Sequence, residues 1–158
     1  MVNKIKLFFS LDIYSKLLLI EALLFLAWAR VLKSKSFAKV APKLGEQMVE
    51  STYTCDESNV KILRQISQAI QIMSRYTFWE SMCLVKAIAG LIMLERRNIE
   101  STLYLGTAKD ENGNLIAHAW LRSGPYYITG FEEMGKFSVV SKFAKRLGKE
   151  QEEGEKYE

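Results

Sequence analysis

The sequence contains one histidine and two cysteines, and these side chains are its candidates for nucleophilic or acid–base chemistry. Cys83 begins an apolar stretch with helical spacing. At a helix start, unpaired backbone N–H groups and the helix dipole favour a thiolate and can donate to an oxyanion. His118 lies in the middle of the segment Leu-Ile-Ala-His-Ala-Trp-Leu. An imidazole that takes the proton of such a thiol would give the ion pair of a cysteine hydrolase.

Each of these residues, taken alone, is better explained as part of the core. A free cysteine on an apolar helix is usually a small hydrophobic residue. A histidine in mid-strand, on the same face as Ile116 and Trp120, points towards packing. Together they favour catalysis, because a helix-start thiol followed by a histidine on an antiparallel strand is the order found in Cys-His hydrolases. Cys55 has no histidine to serve it, so we interpret it as incidental.

Length, composition and charge restrict the class of protein. The chain has 158 residues, 49% of them hydrophobic and 25% charged, which is typical of one globular domain. The net charge of +4 is not the clustered basic stripe of a nucleic-acid binder. We expect no metal or cofactor, since no cluster of zinc ligands or phosphate-binding glycine loop is present. Two distant cysteines and no signal-peptide cleavage site predict a cytoplasmic protein.

The hydrophobic pattern predicts an α+β fold, with a helical N-terminal half followed by a small antiparallel sheet packed on the Cys83 helix. Residues 17–29 are apolar except for Glu21 and are too short to span a bilayer, so a buried or interface helix is expected. Residues 33–50 predict a weaker helix that Pro42 and Gly45 should break. Two further helices are predicted over residues 60–73 and 82–97, separated by an aromatic loop over residues 76–79.

After residue 100, apolar side chains recur at every second residue, which is typical of strands. Asn112-Gly113 predicts a hairpin turn that places His118 opposite about Gly106. We therefore divide the chain into an N-terminal helical segment (1–50), a core (51–144) and a charged, disordered tail (145–158). The predicted strands are residues 101–108, 115–122, 126–129 and 136–140.

Several segments carry a resemblance to a known family. They are Cys-Leu-Val-Lys-Ala from Cys83, Leu-Glu-Arg-Arg-Asn-Ile from Leu94, Ser-Thr-Leu-Tyr-Leu-Gly from Ser101 and Ala-His-Ala-Trp-Leu from Ala117, with Tyr-Thr-Phe-Trp from Tyr76 ahead of them. Together they resemble the stand-alone form of lasso-peptide leader peptidases, cysteine proteases of the transglutaminase-like superfamily. The resemblance implies a transglutaminase-like core with Cys83 as nucleophile and His118 as base.

The same resemblance implies the substrate and the partners. The substrate would be a ribosomally made precursor peptide, whose leader is removed to free the core peptide for macrolactam closure. The partners would be a separate leader-recognition protein and an ATP-dependent macrolactam synthetase. The first helix could also contact a membrane surface. The expected location is cytoplasmic, with membrane association through partners as the alternative.

The family's third catalytic residue is an aspartate shortly after the histidine, and here the sequence departs from the pattern. Gly130 occupies the expected position. Glu132 is our prediction for the carboxylate that orients the imidazole, with Glu133 as the alternative. If neither does so, a backbone carbonyl or Thr129 holds the ring, or the site is a Cys-His dyad.

Two other functions remain open from sequence alone. The departure at Gly130 is compatible with a catalytically silent module that binds the precursor or a partner. The same Cys-His pair also suits an acyltransferase, in which an amine rather than water resolves the thioester.

Overall fold

The structure, a computed structural model, describes residues 10–77 and 82–148. It has the predicted α+β organisation, with helices first and an antiparallel sheet after them. The helices are α1 (Ile13–Lys33), α2 (Phe37–Leu44), α3 (Glu57–Ser74), α4 (Cys83–Glu95) and the 3₁₀ helix Phe131–Lys136. The strands are β1 (Glu46–Gln47), β2 (Ser101–Lys109), β3 (Leu115–Ser123), β4 (Tyr126–Thr129) and β5 (Ser138–Lys145).

The helices form where the apolar spacing predicts them, with longer or shifted ends. α1 begins four residues before the predicted start because the carboxylate of Asp12 accepts a hydrogen bond from the backbone N–H of Ser15. The helix predicted over residues 33–50 is shorter and ends at the break predicted for Gly45, while Pro42 lies inside it. α2 ends at Leu44, and Gly45 then takes a φ of 120°, which an L side chain rarely adopts. The chain continues into the short strand β1 instead.

The five strands form one antiparallel sheet in the order β1-β5-β2-β3-β4. The register between β2 and β3 pairs Gly106 with His118, as the turn at Asn112-Gly113 predicted. β5 extends to Lys145, whose ammonium forms an ion pair with Glu95 at 2.8 Å. The predicted disordered tail, residues 145–158, overlaps the end of β5 at Lys145, and residues 149–158 lie outside the described part of the chain.

The helices pack on one face of the sheet and share a single hydrophobic core with it. Side chains from α1, α2, α3 and α4 belong to the same buried cluster as Ala119 and Leu121 of β3. Gly90 makes this close approach possible, since a Cβ there would lie 2.7 Å from the side chain of Leu121. The N-terminal helical segment is thus part of the same core as the rest of the chain.

The opposite face of the sheet is covered by the segment that precedes α3. The guanidinium of Arg122 is almost fully buried and donates to the carbonyls of Ser51, Thr52 and Gly124. It also lies 3.7 Å from the ring centroid of Tyr53. These contacts hold the segment against the sheet, because a buried arginine is stable only when its donors are satisfied.

Within the described residues, no helix is long and apolar enough to cross a membrane.

Candidate active site

Cys83 is the first residue of α4, which is the position expected of a nucleophile activated by a helix N-terminus. Its thiol is half-buried and packs against the main core. The spacing from Cys83 to Ala87 and Gly90 places all three on the helix stripe that faces the sheet. Phe78 and Trp79 of the predicted aromatic loop lie outside the described residues.

α4 packs against β3 at Gly90, where an added Cβ would lie 2.7 Å from the side chain of Leu121. Cys83 precedes Gly90 by about 10.5 Å of helix. His118 precedes Leu121 by about 10 Å of strand. The two residues are thus each a similar length of chain away from the same contact between α4 and β3.

His118 is buried in the middle of β3, and its ring has one hydrogen-bond partner among the described residues. The Nε2 atom lies 2.9 Å from the carbonyl oxygen of Gly130. A carbonyl can only accept, so Nε2 must carry the proton in this hydrogen bond. In the neutral ring, Nδ1 is then the basic nitrogen. This is the tautomer that could take a proton from a thiol through Nδ1.

Two aromatic rings fix the plane of the His118 imidazole. Phe137 stacks on it with a centroid distance of 4.9 Å, and Trp120 lies 5.9 Å away on the same strand. Trp120 stacks in turn on Tyr104 at 5.5 Å. Gly106 leaves room for this stack, because a Cβ at that position would lie 2.9 Å from both Trp120 and Phe137. The imidazole is therefore oriented by packing as well as by its hydrogen bond.

The stack lies on the face of the sheet opposite the helices. Ala119 and Leu121 point into the core under α4, and side chains alternate along a strand. His118 and Trp120 consequently project to the other face. Among the described residues, no hydrogen bond joins the Cys83 thiol to His118. The structure therefore does not join the two side chains.

The residues predicted to orient the imidazole are not in contact with it. Glu132 and Glu133 are exposed on the 3₁₀ helix, and no hydrogen bond or ion pair links either carboxylate to His118 in the described structure. The hydroxyl of Thr129 is buried without a hydrogen-bond partner. The carbonyl of Gly130, at the position where the resemblance implied an aspartate, holds the ring instead. The role of Glu132 stays a prediction without support from this geometry.

Replacing Glu132 tests which group orients the ring. If the Gly130 carbonyl does so, Glu132→Gln should leave kcat within about threefold of wild type, well short of the 10 to 100-fold loss usual for an orienting partner. Glu133→Gln is the matched control on the same 3₁₀ helix. Both variants should be measured by steady-state cleavage of the precursor. A loss of at least tenfold in Glu132→Gln alone would restore the carboxylate to the site.

Gly130 can accept this hydrogen bond because of its backbone conformation. Its φ is 75°, in the left-handed region, and a Cβ there would lie 2.5 Å from the carbonyl oxygen of Ala119. The residue therefore has to be glycine for the chain to turn closely over β3. Sequence reasoning interpreted Gly130 only as a missing carboxylate. Phe137 was missed entirely, since nothing in its spacing links it to His118.

Cys55 lies away from this arrangement and is a poor nucleophile. It precedes α3, near the turn at Gly124, where a Cβ would meet its side chain at 2.6 Å. Burial raises the pKa of the Cys55 thiol, and the negative charge of Asp56 raises it further. Since the thiolate is the reactive form, both effects lower its reactivity. This agrees with the interpretation of Cys55 as incidental.

An open groove of about 680 Å³ borders the Gly130 side of the site. Its walls come from the C-terminal half of α3, from β4 and from the chain that follows β4. Arg75 and Glu132 supply opposite charges, and Tyr127 and Phe131 supply apolar surface. A groove with these features can accept an extended peptide, with apolar contacts for affinity and charges for orientation.

The chain was compared with protein families, curated proteins and solved structures. The family model described as transglutaminase-like superfamily matches residues 22–142, which is most of the chain. The comparisons with curated proteins and with solved structures gave no match. The family match includes α1 from residue 22 onward together with Cys83, His118 and Gly130.

Proposed function

The chain belongs to the transglutaminase-like superfamily, and we propose that it is a cysteine peptidase that removes the leader from a ribosomally made lasso-peptide precursor. The superfamily points to cysteine-protease or acyl-transfer chemistry. The finer assignment depends on the segments around Cys83, Leu94, Ser101 and Ala117 that resemble lasso-peptide leader peptidases.

The observation that carries the proposal is the fixed orientation of His118, in a chain that also has a thiol at a helix start. Cys83 is the first residue of α4. The Gly130 carbonyl selects the tautomer of His118 in which Nδ1 accepts a proton. A histidine with a satisfied Nε2 and a basic Nδ1 is what a Cys-His peptidase requires.

In the proposed reaction, His118 Nδ1 takes the proton of Cys83 and the thiolate attacks the carbonyl carbon of the leader–core amide. Backbone N–H groups at the start of α4 donate to the oxyanion. The imidazolium gives its proton to the leaving amine, which releases the core peptide and leaves the leader as a thioester. Water, deprotonated by the imidazole, then hydrolyses the thioester and restores the thiol.

The expected partners follow from the resemblance. A separate protein would bind the leader, and an ATP-dependent macrolactam synthetase would use the new amino terminus of the core peptide. The groove beside Gly130 is open enough to receive part of the precursor.

The direct test is cleavage of the precursor. The purified chain should be incubated with the precursor and the leader-recognition protein, and the products identified by mass spectrometry. Two fragments whose masses sum to the precursor plus one water would support hydrolysis. A product with an amine added to the leader would instead identify an acyltransferase. An intact precursor under all conditions would contradict both.

A second function is favoured by one observation, namely that His118 and α4 lie on opposite faces of the sheet. The imidazole must touch the thiol for catalysis, and in the structure it does not. A catalytically silent module would keep the groove and bind the precursor without cutting it. Such a module would bind the precursor equally well in wild type and Cys83→Ala, with no cleavage by either, as measured by fluorescence anisotropy and mass spectrometry.

A further inference from the structure

The first helix carries a second apolar face that nothing in the described structure covers. Its buried face packs into the core through Leu18, Ala22, Leu26 and Ala29. The opposite face presents a continuous stripe of apolar side chains with exposures between 44% and 71%. The members of this exposed stripe are Ile13, Tyr14, Leu17, Ile20, Leu24, Trp28 and Val31.

The residues of the exposed stripe form one long apolar surface rather than isolated apolar positions. Successive members are separated mostly by three or four positions, so they align along one side of the helix. From Ile13 to Val31 the stripe is about 27 Å long. Single exposed apolar residues are ordinary on a protein surface, whereas a contiguous stripe of this length indicates an interaction site.

Basic residues lie at and after the C-terminal end of the stripe in the sequence. Residues 22–45 contain no acidic residue and five basic residues. The basic residues are Arg30, Lys33, Lys35, Lys39 and Lys43. All except Lys33 are exposed. Trp28 and Val31 of the stripe lie at this end. An apolar helical face with tryptophan and flanking Lys and Arg is typical of helices that lie in the headgroup region of a membrane.

The two acidic residues of this part of the chain do not offset the positive charge around the stripe. Glu21 forms ion pairs with Arg97 at 2.6 Å and Arg96 at 3.3 Å, so its charge is neutralised locally. The carboxylate of Asp12 accepts hydrogen bonds from Ser15 at the start of the helix. The stripe therefore borders a surface with excess positive charge at one end.

We propose that α1 binds the surface of an anionic lipid bilayer, with the exposed stripe in the headgroup and acyl boundary and the basic residues on lipid phosphates. Charge complementarity decides between this occupant and a second copy of the chain. In a parallel pair of helices, the basic residues between positions 30 and 43 of the two copies would lie side by side and repel each other. In an antiparallel pair, these basic residues would meet Asp12 and Glu21, whose carboxylates already interact with Ser15 and with Arg96 and Arg97. Anionic headgroups neutralise the same basic residues directly.

Binding to vesicles tests the proposal with the full chain. The protein should sediment with vesicles of phosphatidylcholine containing about one-third phosphatidylglycerol, and much less with phosphatidylcholine alone, because each basic residue near an anionic surface contributes about a fivefold change in partition. The variant Lys35→Gln/Lys39→Gln should therefore bind about 25-fold more weakly. Raising the salt concentration should also weaken the binding of the wild type to the anionic vesicles, because salt screens the attraction between charges.

The apolar half of the proposal is tested by Leu17→Gln/Leu24→Gln. Both side chains are exposed, so this variant should keep the thermal unfolding midpoint of wild type while losing vesicle binding. The matched control is Leu115→Gln/Val140→Gln, which alters two equally exposed apolar residues of the sheet and should bind like wild type.

Two results would overturn the membrane assignment. One is equal sedimentation of the stripe variant and wild type with anionic vesicles. The other is absence of vesicle binding together with a concentration-dependent dimer, seen by light scattering, that Leu17→Gln/Leu24→Gln abolishes. The second result would assign the stripe to a second copy of the chain. Neither result depends on peptidase activity, so the two proposals can fail separately.

Discussion

Cys83→Ala is expected to abolish cleavage of the precursor while leaving the fold intact. The thiol is the only group in the proposed mechanism that forms a covalent bond to the substrate, so its removal leaves no nucleophile. The side chain is half-buried at the start of α4, and alanine removes a single sulfur atom there. Cleavage should fall below detection by mass spectrometry, and the thermal unfolding midpoint should stay close to that of wild type.

Cys55→Ala is the matched control for this variant. It removes the other cysteine, whose thiol has a raised pKa and lies away from His118. It should keep most of the activity. Full activity in Cys83→Ala would remove the central claim, whereas equal losses in both cysteine variants would point to a general effect on folding.

His118→Ala is expected to lower kcat by about 10² to 10⁴-fold, the usual contribution of a positioned general base. It should also slow alkylation of Cys83, because the thiol loses the group that accepts its proton. Alkylation by iodoacetamide should be followed by mass spectrometry over a range of pH, with Cys55 as the internal reference. This readout reports the thiol directly and requires no precursor.

The alkylation experiment also decides between the peptidase and the silent module. In the structure His118 stacks between Phe137 and Trp120 and has no hydrogen bond to Cys83. If the two side chains never meet, the alkylation rate of Cys83 will be the same in wild type and His118→Ala at every pH. Phe137→Leu is a control that keeps the histidine but loosens its stack, and it should change the rate less than His118→Ala.

The sequence by itself predicted the local elements and their register. Apolar periodicity located α1, α3, α4 and the strands β2, β3 and β4, because side-chain spacing follows directly from helix and strand geometry. The turn at Asn112-Gly113 determines the hairpin, so the pairing of His118 with Gly106 could be predicted from the sequence alone. The segments around Cys83, Leu94, Ser101 and Ala117 also resembled a known family, and the match over residues 22–142 confirmed its superfamily.

Only the tertiary structure decided which groups surround the histidine. The partner of Nε2 is a main-chain carbonyl, and any residue has a carbonyl, so no side-chain pattern could identify Gly130 as its source. The stacking of Phe137 depends on how the 3₁₀ helix returns the chain over β3. The face on which His118 lies depends on which side of the sheet the helices cover. These are contacts between segments distant in sequence, and they are set by packing rather than by the local spacing that the sequence displays.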